Sequence, residues 1–190
     1  MRPIAIVLAL VALMLCTAES SSDDKKPPGT EGRPKVVREE IDGPFYVPGS
    51  KATKITGKVK VIDAHTLRLN DGTELELNGG MDAPDLEQKG RIGESFYPCG
   101  KEAAEFLAKL IGDHEVTCFL HDRGGVKLHA TCFVGEKCVD IELVRNGWAL
   151  SHHSGMEPWE IIARENKRGL WRGKFVMPEN WRKGERLPGE

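Results

Sequence analysis

Apolar and polar residues alternate along three short segments near the middle of the chain, between residues 55 and 77. The segments cover 55–61, 66–69 and 73–77, and each carries valine, isoleucine or leucine at alternate positions. A period of two is typical of strands that bury one face. The turn signal Asn70-Asp71-Gly72 separates the last two segments. The sequence therefore predicts a three-stranded meander in this region.

Apolar residues recur at helical spacing in three later segments. The first covers 101–111 and is followed by Gly112, a residue that commonly ends helices. A second, short helix is predicted over 139–147. A third is predicted over 159–168, where Pro158 suits the first helical turn.

A β-hairpin is predicted between the first two helices, with Gly124-Gly125 at its turn. This placement sets Cys118 opposite Cys132 and His121 opposite His129. Cysteines and histidines three residues apart then point to opposite faces of a strand, which disfavours a zinc site with four ligands. A disulfide between the two facing cysteines fits this register better.

The order of these elements indicates the fold class. Five strands, with one helix inserted between the third and the fourth and two C-terminal helices, predict an α+β, mainly β fold. We interpret it as a five-stranded OB-fold (Greek-key) barrel capped by helices. The predicted domain covers 52–173, and the 190 residues of the chain suit one domain with appendages.

The segments outside this domain have their own character. Residues 1–18 combine an early arginine, an apolar run too short to span a bilayer and a small-residue site at Ala18, which predicts a signal peptide and a secreted or periplasmic protein. Cys16 as a lipid-acceptor cysteine is the less favoured alternative. Residues 19–51 predict a flexible tether rich in proline, glycine and charge. The tail 174–190 is expected to wrap or trail without forming an element.

Export places the mature cysteines in an oxidising compartment, which favours disulfides over catalytic thiols. The four mature cysteines, Cys99, Cys118, Cys132 and Cys138, allow three pairings. The hairpin register favours Cys118 with Cys132, which leaves Cys99 and Cys138 for one another.

The net charge of the chain bears on whether it binds nucleic acids. A formal net charge of −2 argues against nucleic-acid binding by bulk charge, so a polyanion would need a local basic patch. We expect a monomer with no membrane span in the mature chain.

Several short motifs, in order and at suitable spacing, resemble the staphylococcal-nuclease-like (thermonuclease) family. The resemblance covers 54–173, and the tail motifs from Trp171 to Arg182 resemble secreted bacterial members. The matching motifs are Gly57–Asp63, Thr66-Leu67, Met81–Asp85, Asp140–Ala149 and Ala163–Trp171.

The resemblance implies calcium-assisted hydrolysis of phosphodiester bonds. Two aspartates and a carbonyl hold the cation in that family, a glutamate activates water, and two arginines bind the phosphate. Asp82 matches a metal-binding aspartate, Ala83 matches the residue that lends its backbone carbonyl, and Asp63 matches an acidic residue that supports the site.

Four other positions depart from the family pattern. His65 stands where the second metal-binding aspartate aligns, and an imidazole is a poor calcium ligand. Asp85 replaces the glutamate and shortens its arm. Leu77 and Lys127 replace the two arginines, with Arg123 and Arg68 as candidate substitutes.

Simpler interpretations of these residues stay open. An aspartate two residues before a proline is common in ordinary turns, so Asp82 could be a turn residue. His65 could be a residue at the edge of a strand. If His65, Asp82 and Asp85 bind a metal together, Mn²⁺ or Zn²⁺ suits them better than Ca²⁺. The histidine pair His152-His153 is expected in a loop.

Three functions are therefore consistent with the sequence. The favoured one is a non-catalytic or very weakly active module that keeps the nuclease scaffold for binding or structure. The second is an active, metal-dependent nuclease acting on DNA or RNA. The third is an OB domain that binds single-stranded nucleic acid or another polyanion.

Overall fold

The computed structural model describes residues 35–40, 51–77, 80–121, 128–152 and 155–190, with side chains from residue 53 onward. The described residues belong to one unit, Glu31–Glu190. They form an α+β structure, mainly β. The helices are α1 Cys99–Ile111, α2 Val139–Arg145, α3 Glu157–Glu165 and α4 Pro178–Arg182, with a 3₁₀ turn at Gly169–Arg172.

Eight strands form the main sheet. They are β1 Lys35–Glu40, β2 Lys51–Gly57, β3 Val59–Val61, β4 Thr66–Leu69, β5 Glu74–Leu77, β9 Val116–His121, β10 Leu128–Val134 and β11 Lys137–Cys138. The order across the sheet is β1-β2-β9-β10-β5-β4-β3, with β11 paired to β10. Only the β10–β5 pair is parallel among the described strands. An OB-type barrel stays a prediction.

Two smaller sheets lie beside the main one. Their strands are β6 Met81–Asp82, β7 Gly90–Ile92, β8 Ser95–Tyr97, β12 Leu150–Ser151 and β13 Lys174–Phe175. Strand β12 pairs with β6, and β13-β7-β8 form the third sheet. Segments far apart in the chain thus meet around residues 81–97.

The predicted register of the β9–β10 hairpin is confirmed. Cys118 lies opposite Cys132 and His121 opposite His129, and the two cysteines form a disulfide. The turn itself, residues 122–127, lies outside the described residues.

Cys99 and Cys138 do not form the second disulfide that the sequence suggested; both are buried free thiols. Cys99 begins α1, whereas Cys138 ends β11 directly before α2. The Cys99 Sγ lies 3.3 Å from the backbone oxygen of Gln88, and the Cys138 Sγ lies 3.9 Å from the Asp140 carboxylate. Their surroundings therefore differ, and each thiol has its own polar neighbour.

Helix α1 packs onto the sheet as its sequence predicts. Its buried residues include Ala103, Leu107 and Ile111, which recur at helical spacing, and it stops at Gly112 with φ 52°. The same core contains Leu67, Leu75, Ala130 and Leu143 among others. The core thus fixes the strands that carry the candidate site.

The structure corrects the expectation for residues 174–190. They form β13 and α4, because β13 pairs with β7 and the buried Pro178 opens a helical turn. We call residues 174–182 the C-terminal arm. Strand β1 likewise lies within the predicted tether 19–51 and pairs with β2 along its full length.

No helix among the described residues is long and apolar enough to cross a membrane. The predicted signal peptide, with Cys16 and Ala18, lies outside the described residues.

Candidate functional site

A cleft of about 340 Å³ brings most of the candidate residues together. It lies where β5, β6 and the C-terminal arm meet. Its lining residues are His65, Glu76, Leu77, Met81, Asp82, Ala83, Asp85 and Arg182.

His65 is held in a tight turn between β3 and β4. Its backbone N–H donates to the Asp63 carboxylate at 2.9 Å, and its ring Nδ1 lies 3.4 Å from the same oxygen. The backbone oxygen of His65 accepts from the N–H of Leu77 at 2.7 Å. Asp63 therefore holds both the backbone and the ring of His65 in place.

Asp82 ends strand β6, which pairs with β12 through the Asp82–Leu150 register. This pairing brings His152 to the cleft, with its Nε2 3.4 Å from Asp82 Oδ2. The side chain of Asp82 is only 13% exposed, so its charge is poorly solvated and needs neighbouring donors. Ala83 next to it is fully buried.

Asp85 is positioned by the close approach of helix α1. Its backbone oxygen accepts from the N–H of Gln88 at 2.9 Å, and the N–H of Gly100 donates to the Gln88 oxygen at 3.1 Å. A β-carbon at position 100 would lie 1.9 Å from the Asp85 oxygen. Only glycine fits there, so α1 begins directly against the loop that carries the carboxylate.

Arg182, from the C-terminal arm, joins the two aspartates. Its Nη2 donates to Asp82 Oδ1 at 2.6 Å and its Nη1 donates to Asp85 Oδ2 at 3.0 Å. Partial burial alone lowers the pKa of Arg182, but hydrogen bonds and charge from both carboxylates outweigh it and raise that pKa. The two carboxylates therefore share one permanent cation.

Sequence reasoning missed Arg182 and His152 as members of this cleft. Arg182 was identified only within a tail motif, and His152 was assigned to a loop. The proline at 178 is a helix-start signal, but no local pattern connects it to carboxylates about a hundred residues earlier, a separation of 100 for Asp82.

The residues that the resemblance sets at or near the two arginine positions have different surroundings. Leu77 is 4% exposed and belongs to the core while its edge lines the cleft. It lies opposite Ala130 in the parallel β5–β10 pair. Lys127 and Arg123 lie outside the described residues. Arg68 points to another partner, since it donates to Glu74 at 2.6 Å.

A second hollow of about 480 Å³ adjoins the cleft through His65 and Glu76. Its lining includes the acidic residues Asp63, Glu74 and Glu76, and Glu76 lies 3.4 Å from the His129 ring. Among the described residues that line the cleft and the hollow, carboxylates therefore predominate, with Asp82 and Asp85 added to these three.

The donors in the cleft differ from those that calcium prefers. Calcium takes six to eight oxygen ligands, whereas this cleft offers imidazoles at 65 and 152 and carboxylates already engaged by a guanidinium. Within the described part of the chain, no group of three or more His, Cys, Asp or Glu side chains is placed to hold a metal ion. The residues therefore do not fit the calcium site that the resemblance implies.

Comparison with known proteins relates the chain to nucleases. A family model described as "Staphylococcal nuclease homologue" matches residues 77–173. The chain is 31% identical over 126 residues to "Probable endonuclease LCL3" of Yarrowia lipolytica, covering 56% of this chain and 54% of that protein. It is 28% identical over 114 residues to "Probable staphylococcal-like nuclease CAN2" of Oryza sativa subsp. japonica, covering 56% of this chain and 28% of that one.

These alignments reach about half of the first relative, or 54% of its length, and 28% of the second. The family match includes Leu77, Asp82 and Asp85 but begins after His65 and ends before Arg182. It covers just over half of the 190 residues, and the chain therefore belongs to the staphylococcal nuclease homologue family.

Proposed function

We propose that the chain is an exported, non-catalytic or very weakly active member of this family, which uses the nuclease scaffold as a binding or structural module. The observation that carries this proposal is the bridge from Arg182 to both Asp82 and Asp85. The carboxylates that would hold a cation and activate water are occupied by a side chain of the same molecule. Each carboxylate accepts one charge-assisted hydrogen bond from Arg182, and the guanidinium charge beside it opposes the approach of a metal ion.

The substitutions around the bridge support the same conclusion. Losing one preorganised cationic donor costs roughly 10²–10³ in rate, and Leu77 supplies none. A displacement of about 1 Å in a catalytic group costs on the order of 10²-fold, and Asp85 is one methylene shorter than the glutamate that it replaces. The two effects together leave a rate at least ~10⁴ below that of a complete site.

A polyanion is a poor ligand for this cleft. Asp63, Glu74 and Glu76 line the adjoining hollow, and Arg182 is already paired. Phosphates approaching this surface would meet carboxylates, so we place the single-stranded nucleic-acid function behind the other two.

A slow nuclease is the second candidate. The names of the relatives favour it, and Arg182 puts a guanidinium beside Asp82 and Asp85, where it could grip a phosphate once released from them. In this alternative Arg182 would replace the arginine lost at position 77.

Cleavage of single-stranded DNA and RNA by the purified chain separates the two candidates. The substrates are incubated with Ca²⁺, Mn²⁺, Zn²⁺ or chelator. The wild type is compared with Asp82→Ala and with the control Asp113→Asn, at an exposed carboxylate that does not line the cleft. We expect the wild type to show no cleavage above the level of Asp82→Ala under any of these conditions. Chelator-sensitive cleavage that Asp82→Ala abolishes and Asp113→Asn retains would establish the nuclease instead.

A second experiment restores family residues at the substituted positions, but the structure argues for leaving Leu77 unchanged. Replacing Leu77 by arginine places a charge at a core position that is 4% exposed, which costs several kcal/mol unless the guanidinium reaches the cleft. His65→Asp with Asp85→Glu, in an Arg182→Met background, restores the carboxylates without that cost. Activity gained only in this triple variant would mark the wild-type site as a decayed one.

A further inference from the structure

We propose that Arg182 is the resident cation of the cleft, supplying with a side chain fixed by the fold the positive charge that a metal ion supplies in a calcium-dependent relative. The inference rests on the proposed function and deepens it. Its guanidinium contacts one oxygen of Asp82 and one of Asp85, at 2.6 and 3.0 Å. One guanidinium thus lies against both aspartates of the cleft.

The C-terminal arm holds Arg182 in place by contacts independent of the aspartates. Strand β13 pairs with β7 through Lys174–Arg91 and Phe175–Gly90. The Phe175 ring packs edge-on against Trp171, with the ring centroids 5.1 Å apart. The arm is thus anchored on both the third sheet and the 3₁₀ turn before Arg182 enters the cleft.

A buried side chain ties the arm to the loop that carries the aspartates. Gln88 is fully buried, and its amide donates to the backbone oxygen of Val176 at 2.6 Å. The loop and the arm therefore move together, so the guanidinium is preorganised rather than recruited. A preorganised ion pair loses less side-chain entropy than one between two mobile residues.

The charges explain why Arg182 and a metal ion exclude one another. Asp82 is 13% exposed and Asp85 27% exposed, so two like charges stand close together in a poorly solvated site and repel unless a cation lies between them. A divalent ion bound to Asp82 would share that carboxylate with Arg182, which already holds its Oδ1. It would also have to approach against the charge of the guanidinium.

Removing the guanidinium should therefore create metal affinity where there was none. In the wild-type geometry the described side chains include no group of three placed to hold a metal ion. Without the guanidinium, Asp82 and Asp85 are free to turn toward His152, whose Nε2 already lies 3.4 Å from Asp82 Oδ2. A set of two carboxylates and an imidazole suits Mn²⁺ or Zn²⁺ better than Ca²⁺.

The test compares the wild-type chain with Arg182→Met, which keeps an unbranched apolar stem but removes the guanidinium and its charge. The matched control is Arg186→Met, because Arg186 is an exposed arginine just beyond the arm that stacks on Trp181 at 4.1 Å and contacts no cleft carboxylate. Thermal unfolding and isothermal titration are measured with chelator, Ca²⁺, Mn²⁺ and Zn²⁺.

We expect the Tm of the wild type and of Arg186→Met to be the same in chelator and in Mn²⁺. Arg182→Met should have a lower Tm in chelator and regain it with Mn²⁺ or Zn²⁺, binding them at least about tenfold more tightly than the wild type, which is about 1.4 kcal/mol. Ethylguanidinium should raise the Tm of an Arg182→Ala variant and leave the wild type unchanged.

The inference is overturned if the wild type and Arg182→Met bind metal ions equally tightly. It is also overturned if Arg182→Met has the same Tm as the wild type in chelator. If that variant does not fold, titration of the wild type decides, since Mn²⁺ binding that Asp82→Ala abolishes means that a metal and not Arg182 is the resident cation. The proposed function fails by a different result. A wild type that cleaves DNA overturns it, whereas a wild type that binds Mn²⁺ through Asp82 without cleaving overturns only this inference.

Discussion

The side-chain amide of Gln88 donates to the backbone oxygen of Val176 at 2.6 Å, in an interior position with no exposed surface on Gln88. Removing it by Gln88→Leu leaves the Val176 oxygen without its donor, which costs about 1–3 kcal/mol of unfolding free energy. Urea denaturation measures the loss. Glu87→Gln, at the exposed neighbouring position, should stay within about 0.5 kcal/mol of the wild type. Equal effects of the two substitutions would contradict the link between loop and arm.

Gly100→Ala gives opposite expectations from helix propensity and from packing. Alanine in a helix is favoured over glycine by about 1 kcal/mol, but its β-carbon would lie 1.9 Å from the Asp85 backbone oxygen. Because the neighbour is backbone, it cannot rotate away, and overpacking of this kind costs about 1–3 kcal/mol. We expect a net loss of stability in urea denaturation. A stabilised variant would show that α1 does not pack directly on the Asp85 loop.

The two free thiols should be unreactive in the native protein. Burial raises the pKa of Cys99 from 9.0 to about 12, and burial followed by the charge of Asp140 raises the pKa of Cys138 from 9.0 to about 11. Only the thiolate reacts, so a thiol reagent at pH 8 should label neither cysteine until denaturant is added. Fast labelling of the native chain would contradict the buried positions.

The same thiols predict a loss of stability at alkaline pH. Each thiol keeps its proton in the folded chain well above pH 9.0, while the unfolded chain releases it there. The unfolded state therefore binds fewer protons above pH 9, and the stability present below that value falls as the pH rises toward 11 or 12. Urea denaturation at pH 7, 9 and 10 measures the slope. The slope should flatten in Cys138→Ala, and an unchanged slope would assign the effect to other groups.

Arg172 should depend on its planar shape and not only on its charge. Its guanidinium lies 4.2 Å from the centre of the Tyr97 ring and 5.4 Å from that of Trp148, and it also pairs with Glu102. Arg172→Lys keeps the charge but loses the stacking, which costs about 1 kcal/mol at a partly exposed site. The control Arg168→Lys, at an exposed arginine, should change the unfolding free energy less. The prediction fails if lysine at 172 preserves full stability.

Local patterns were sufficient where the structure is itself local. The alternation around Cys118 and Cys132 encodes a strand register, and a one-residue slip would have turned every apolar side chain outward. Strand β1 could not be found in this way. Its two valines, Val36 and Val37, are adjacent and not alternating, so its pairing with β2 depends on backbone hydrogen bonds that any side chains allow.

The sequence predicted those residues of the cleft that stand beside local motifs. His65, Asp82 and Asp85 were identified because each stands beside a motif, and all three line one cleft. Arg182 was not, because its role depends on the arm folding back against β7. The paired residues Phe175 and Gly90 are 175 − 90 = 85 positions apart in the chain, and no periodic pattern exists for such a contact.

The separation of 100 residues between Asp82 and Arg182 has a consequence for the order of synthesis. A ribosome makes both aspartates long before it makes their arginine, so the nascent chain carries an unneutralised pair until the arm emerges. A stop codon or a protease acting within 174–181 would leave the family segment 77–173 intact and release the same acidic pair. A very short stretch of the gene thus determines whether the two aspartates of this cleft stand alone or face a guanidinium.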